Sequence, residues 1–133
     1  MINVEKVTKH FDDFTALKEI SCTIREGCIY GMVGSNGAGK STLLRLISGV
    51  YRPDGGRITI EGQPVWENPE IKQRMVYVPD DLYFLPGASI SRMEALYARA
   101  YPQFDHERCR QLVQAFRLDP HKPVAAFSKG MRR

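Results

Sequence analysis

Apolar and polar positions alternate through residues 2–8, where Ile2 and Val4 stand against Asn3 and Glu5. They alternate again through 17–24, where Ile20, Cys22 and Ile24 share one side. A period of two marks a half-buried strand, so both stretches are read as strands, with residues 10–14 as the loop between them. After the turn Arg25-Glu26-Gly27, the run Cys28-Ile29-Tyr30-Gly31-Met32-Val33 is short and continuously apolar, which predicts a buried strand. The period then changes. Leu43, Leu44, Leu46 and Ile47 recur at helical spacing, predicting a helix from Lys40 to Gly49, with the glycine as its stop. Residues 51–56 are dense in turn formers, and 57–61 alternate cleanly as another strand, closed by Gly62-Gln63-Pro64. Residues 68–74 read as a short helix with Pro69 at its first position. Met75-Val76-Tyr77-Val78 reads as a further core strand, closed by Pro79-Asp80-Asp81. From Ser89 onward the texture is helical. Met93, Leu96, Tyr97 and Ala100, then Cys109, Leu112, Val113 and Phe116, each fall at i, i+3, i+4, i+7. These elements predict an α/β protein. A partial parallel sheet with an N-terminal antiparallel β layer occupies residues 1–88, and a small helical subdomain occupies 89–133.

Between the first buried run and the first helix lies Gly34-Ser35-Asn36-Gly37-Ala38-Gly39-Lys40-Ser41, which satisfies every required position of G-x-x-x-x-G-K-[ST]. The glycines let the backbone press close to a ligand, and its N–H groups then converge as fixed partial positive charges for phosphate oxygens. The helix that follows adds the positive end of its dipole. Lys40 brings a full charge to the terminal phosphates, and the Ser41 hydroxyl is placed to ligate a bridging magnesium ion. A strand before and a helix after are the context this motif needs. The α/β core is therefore read as that of a P-loop NTPase.

Composition narrows the alternatives. The chain has 133 residues, 43% hydrophobic and 26% charged, an ordinary globular balance. No apolar run approaches the roughly 20 residues that span a bilayer. The N-terminus lacks the basic start and apolar core of a signal peptide, so a cytoplasmic location is expected. Cys22, Cys28 and Cys109 form no C-x-x-C pair, and reduced, largely buried thiols are expected. The net charge of +4 is scattered rather than gathered into a stripe, which argues against a nucleic-acid partner.

The order of motifs resembles the ATP-binding subunit of ABC transporters, over the whole chain. Phe11 lies upstream of Lys40 where the family places an aromatic residue that stacks on adenine; a core phenylalanine is the other reading of it. Arg74-Met75-Val76-Tyr77-Val78-Pro79 resembles the strand leading to the family's Q-loop, and Phe127-Ser128-Lys129-Gly130-Met131 resembles its signature motif. The resemblance implies ATP and magnesium as cofactors. It implies a nucleotide set of Phe11, Gly34, Ser35, Asn36, Gly37, Ala38, Gly39, Lys40, Ser41 and Thr42, with Ser41 and Asp80 on the metal. Ser128 and Gly130 would contact the γ-phosphate held by a second ATP-binding domain, from a helix beginning near Ser128. The implied partners are that second domain and a membrane-spanning transporter subunit, towards which the apolar segment Tyr83-Phe84-Leu85-Pro86 would face. The implied position is the cytoplasmic face of the membrane.

Asp80 stands where the family usually has Gln, Lys129 where it has Gly, and Met131 where it has Gln. The Ser-Lys-Gly-Met-Arg form resembles the ABC-2 exporter branch. The family's later strand, ending in an Asp and a Glu, and its later His follow the signature motif and are not among these residues. Binding with little turnover is therefore the expectation for this chain, with a groove lined by apolar side chains where the later strand would insert. A nucleotide-binding regulatory or interaction module without catalysis fits the same residues.

Overall fold

The structure is a computed structural model and describes all residues except Asp81, Lys129 and Arg133. It divides into two compact units, Met1–Tyr77 and Val78–Arg133.

In the first unit, β1 (Ile2–Phe11) and β2 (Phe14–Ile24) form an antiparallel hairpin longer than the pattern predicts. The loop expected at 10–14 is a two-residue turn, Asp12-Asp13, and Asp12 takes a left-handed φ of 48° that suits its short polar side chain. Ladder irregularities follow Val4 and Val7, with Lys6 and Glu19 at positive φ. Side chains make good the interrupted ladder: Lys6 N–H donates to Ser21 Oγ at 2.9 Å and Glu19 N–H to Thr8 Oγ1 at 3.2 Å. On its other edge β1 pairs with β3 (Gly55–Ile60), which turns through Glu61-Gly62 into the short β4 (Gln63–Pro64). The order is β2-β1-β3-β4, antiparallel throughout.

Helix α1 (Lys40–Ile47) lays Leu43, Leu46 and Ile47 against Val4, Val7, Leu17 and Ile58 of the sheet. Gly49, at φ 67°, ends it as expected. Helix α2 (Pro69–Lys72) is capped by Asn68, whose Oδ1 accepts from Ile71 N–H, and it inserts Ile71 into the same core.

The two runs expected as buried core strands depart from expectation. Residues 28–33 and 75–78 have no strand pairing among the described residues. Met32 and Met75 pack against the core, yet Ile29 is 103% exposed, Val33 99% and Val76 86%. A strand buried on both faces needs neighbours on both edges and layers above and below. The described sheet supplies none to these runs. Cys28 likewise proves exposed, its Sγ–H donating to Arg25 O at 3.0 Å, while Cys22 and Cys109 are half-buried.

In the second unit, α3 (Ile90–Ala100) and α4 (His106–Ala115) begin on side-chain caps: Ser89 Oγ accepts from Arg92 N–H and Asp105 Oδ1 from Arg108 N–H. His106 Nδ1 lies 2.6 Å from Glu94 Oε1, tying the start of α4 to α3. Ala88, Val124 and Phe127 are buried, and Val124 N–H donates to Ala88 O at 2.8 Å. The predicted apolar faces are only partly covered, with Leu96 at 46% and Phe116 at 69% exposure. Among the described residues no helix is long and apolar enough to cross a membrane.

Candidate functional site

The phosphate loop follows the unpaired run 28–33 and ends where Gly39, at φ 83° and ψ 3°, opens α1. No side chain caps that helix, and its first turn carries no acidic residue. Its leading N–H groups are therefore not taken by a carboxylate of the helix itself, as an anion site requires. Gly39 is pressed against β2. A Cβ built on it would stand 2.6 Å from Leu17 Cδ2 and 2.8 Å from Ala16 O. Leu17 in turn pairs with Lys9 across the hairpin, so the loop is seated on β2 near the residues that lead to Phe11.

Lys40 folds back over the loop. Its Nζ donates to Gly34 O and to Ser35 O, both at 2.7 Å, while Ala38 N–H donates to Ser35 O at 3.2 Å. An ammonium has three donors, so two fix its place and the third remains for a ligand oxygen. Ser35, Asn36, Gly37, Ala38 and Ser41 are exposed, and Thr42 is half-buried.

Phe11 closes β1 and is 38% exposed, so it is not a core phenylalanine. Its ring meets Tyr51 edge-on, centroids 5.4 Å apart at 70°. Lys9 Nζ lies over it at 5.5 Å. Arg45 of α1 lies 5.7 Å from the Tyr51 ring, and the neighbouring Tyr77 hydroxyl raises its guanidinium further above its ordinary pKa. Asp54 accepts from Lys9 Nζ at 2.9 Å and from His10 N–H at 2.6 Å. These hydrogen bonds, the His10 amide first, hold its carboxyl below the usual carboxylate range. Sequence reasoning missed Tyr51, Asp54 and Lys9. Asp54 sits in a turn that the pattern marks, but nothing local reveals a grip reaching 44 residues back to His10.

The remaining expected residues lie in the second unit. Asp80 is exposed, as are Tyr83 at 80% and Leu85 at 40%. Ser128 Oγ accepts from Met131 N–H at 3.2 Å and its carbonyl from Arg132 N–H at 3.1 Å. Gly130 is exposed, and Lys129, with the charge expected of it, lies outside the described residues, as does Asp81. Among the described residues no group of three His, Cys, Asp or Glu side chains could hold a metal. Magnesium at a nucleotide needs no such cage. It takes one or two protein oxygens and fills its octahedron with phosphate and water, which the exposed Ser41 hydroxyl fits.

Residues 17–133 match the family model described as ABC transporter. The ABC transporter ATP-binding protein YtrB of Bacillus subtilis is 31% identical over all of this chain, which spans 46% of that protein. A putative ribose/galactose/methyl galactoside import ATP-binding protein of Hahella chejuensis is 30% identical, again over the whole chain and over 28% of its own length. Among solved structures, an ATP-binding subunit of an ABC transporter superposes with a TM-score of 0.84 at 28% identity, over 98% of this chain and 57% of that one. A dimeric ATP-binding cassette in a post-hydrolysis state, bound to ADP and Pi, gives 0.74 at 23% identity, over 99% and 65%, a likeness of fold. The chain thus spans less than half the length of these two curated relatives.

Proposed function

This chain belongs to the ABC transporter ATP-binding family, and we propose that its phosphate loop holds ATP with magnesium as part of a transporter ATPase. The fold is that of the family's P-loop NTPase domain. The observation that carries the proposal is the loop itself. Lys40 is fixed over it by two carbonyls, α1 starts on it without an acidic cap, and Gly39 seats it on β2.

In this reading the amides of Gly34 to Thr42 and the Lys40 ammonium hold the phosphates, Ser41 supplies an oxygen to magnesium, and Phe11 stacks on the base. The helical subdomain ends in a signature motif, whose Ser128 and Gly130 address the nucleotide of a second ATP-binding domain. Tyr83 and Leu85, exposed beside Asp80, are the surface for a membrane-spanning subunit. The finer reading of an ABC-2 type exporter rests on Ser128-Lys129-Gly130-Met131-Arg132; relatives of the chain include importer ATP-binding proteins. All these relatives are transporter proteins, which does not favour a stand-alone regulatory module.

Calorimetric titration with Mg-ATP tests the proposal. Hydrogen bonds to a charged group are worth about 1.5–3 kcal/mol, so Lys40→Ala is expected to weaken binding about 10- to 150-fold. Unchanged affinity would remove the loop from the site. Little phosphate release is expected from this chain. Steady release that disappears in Lys40→Ala would overturn that part.

A further inference from the structure

Phe11 stands at the exposed end of a hairpin, where a ring on its own would sample several rotamers and lose part of any stacking energy to ordering. The structure holds it instead. On one edge β1 continues to pair with β2 through Lys9, His10 and Phe11. On the other edge its ladder with β3 ends at Thr8, opposite Gly55. Just beyond that end, the turn before β3 takes over. Asp54 N–H donates to Thr8 O at 2.9 Å, the Asp54 carboxylate accepts from Lys9 Nζ and His10 N–H, and Tyr51 meets the Phe11 ring. Thr8, Lys9, His10 and Phe11 are thus gripped in succession from a single turn. Lys9 is unusually confined for a lysine, its side chain only 14% exposed, and its ammonium covers one face of the ring.

We propose that Asp54 is a positioning residue for base recognition, acting through Lys9 and the His10 amide to present the exposed part of the Phe11 ring to the nucleotide base. Asp54 touches no phosphate in this arrangement. It sets how well the site distinguishes a nucleoside triphosphate from a bare polyphosphate. The inference rests on the stacking role given to Phe11 above, and it adds a determinant 43 positions further along the chain.

The experiment compares Mg-ATP with magnesium tripolyphosphate, by calorimetry, on the wild-type chain and on Phe11→Ala, Asp54→Asn, Lys9→Met and the Phe11→Ala/Asp54→Asn double variant. Thermal unfolding of each confirms that it is folded. Base–aromatic stacking is worth about 1–3 kcal/mol, so Phe11→Ala is expected to weaken ATP about 5- to 150-fold and leave tripolyphosphate unchanged. Asp54→Asn and Lys9→Met each lose part of that preorganisation, about 3- to 10-fold for ATP, again without change for tripolyphosphate. The double variant is expected to be no weaker than Phe11→Ala alone, because Asp54 acts through the ring. Equal losses for both ligands in Asp54→Asn, additive losses in the double variant, or an unaffected Asp54→Asn beside a weakened Phe11→Ala would each overturn the proposal. If Phe11→Ala itself leaves ATP affinity unchanged, the stacking assignment falls, and this inference with it.

Discussion

Gly37 and Gly39 share a φ of 83° but sit in different surroundings, and alanine at each separates backbone strain from crowding. Around Gly37 a Cβ meets nothing within 4 Å. Only the left-handed backbone then counts against the new side chain, about 1–2 kcal/mol. At Gly39 the same strain applies, and the Cβ also stands 2.8 Å from Ala16 O, a backbone atom, and 2.6 Å from Leu17 Cδ2. Neither neighbour can yield cheaply. Leu17 is 6% exposed in the core, and its backbone is paired with Lys9. Overpacking of this kind costs about 1–3 kcal/mol more. Gly39→Ala is therefore expected to be destabilised by about 2–5 kcal/mol in total. In a unit the size of Met1–Tyr77 each kcal/mol moves the midpoint by about 4–8 °C, so its melting temperature should fall on the order of 10 °C further than that of Gly37→Ala. Thermal and urea unfolding by circular dichroism read both variants. A Gly39→Ala protein as stable as Gly37→Ala would refute the claim that the loop is seated on β2.

Three further outcomes are expected. Ile71→Ala empties a core position that is 2% exposed and should cost about 2–5 kcal/mol in urea unfolding. The Arg74 guanidinium, bonded to both Glu61 oxygens at 2.7 and 2.9 Å, lowers the Glu61 pKa below its ordinary 4.5. A lowered carboxylate stabilises the fold above its unfolded pKa, and that contribution disappears as pH falls through the folded value. Wild type should thus melt above Glu61→Gln at neutral pH, with the gap closing below 4.5. Ile29→Ser changes a side chain that is 103% exposed and should alter stability by no more than about 0.5 kcal/mol; a core-sized loss in urea unfolding would mean that the side chain is buried after all.

The phosphate loop was legible because it is a local device, with loop, lysine and helix start contiguous in sequence. The β1–β2 hairpin was legible for a similar reason. One half-buried face writes its period into Ile2, Val4, Ile20, Cys22 and Ile24, and only the tightness of the loop, a two-residue Asp12-Asp13 turn without a glycine, went unread. The runs at 28–33 and 75–78 show the reach of pattern reading. An apolar run reports what a segment is able to bury, whereas burial depends on neighbours distant in sequence, and among the described residues Ile29, Val33 and Val76 stay exposed. The hold on Phe11 was illegible for the same reason. Asp54 and Tyr51 look like turn residues until the hairpin end is seen beside them.

Those uncovered valines and isoleucine carry a consequence for how the protein behaves in a tube. Apolar runs without ladder partners among the described residues are templates for strand pairing, including with the same segment of another molecule. The attraction between such surfaces is largely entropic near room temperature and weakens on cooling, while salts such as sulfate strengthen it. Light scattering from a concentrated solution should therefore rise on gentle warming, well below the unfolding midpoint, and subside on return to the cold if association has not yet matured into fibrils. Purification in the cold, at low protein concentration and without ammonium sulfate, follows directly from Ile29, Val33 and Val76.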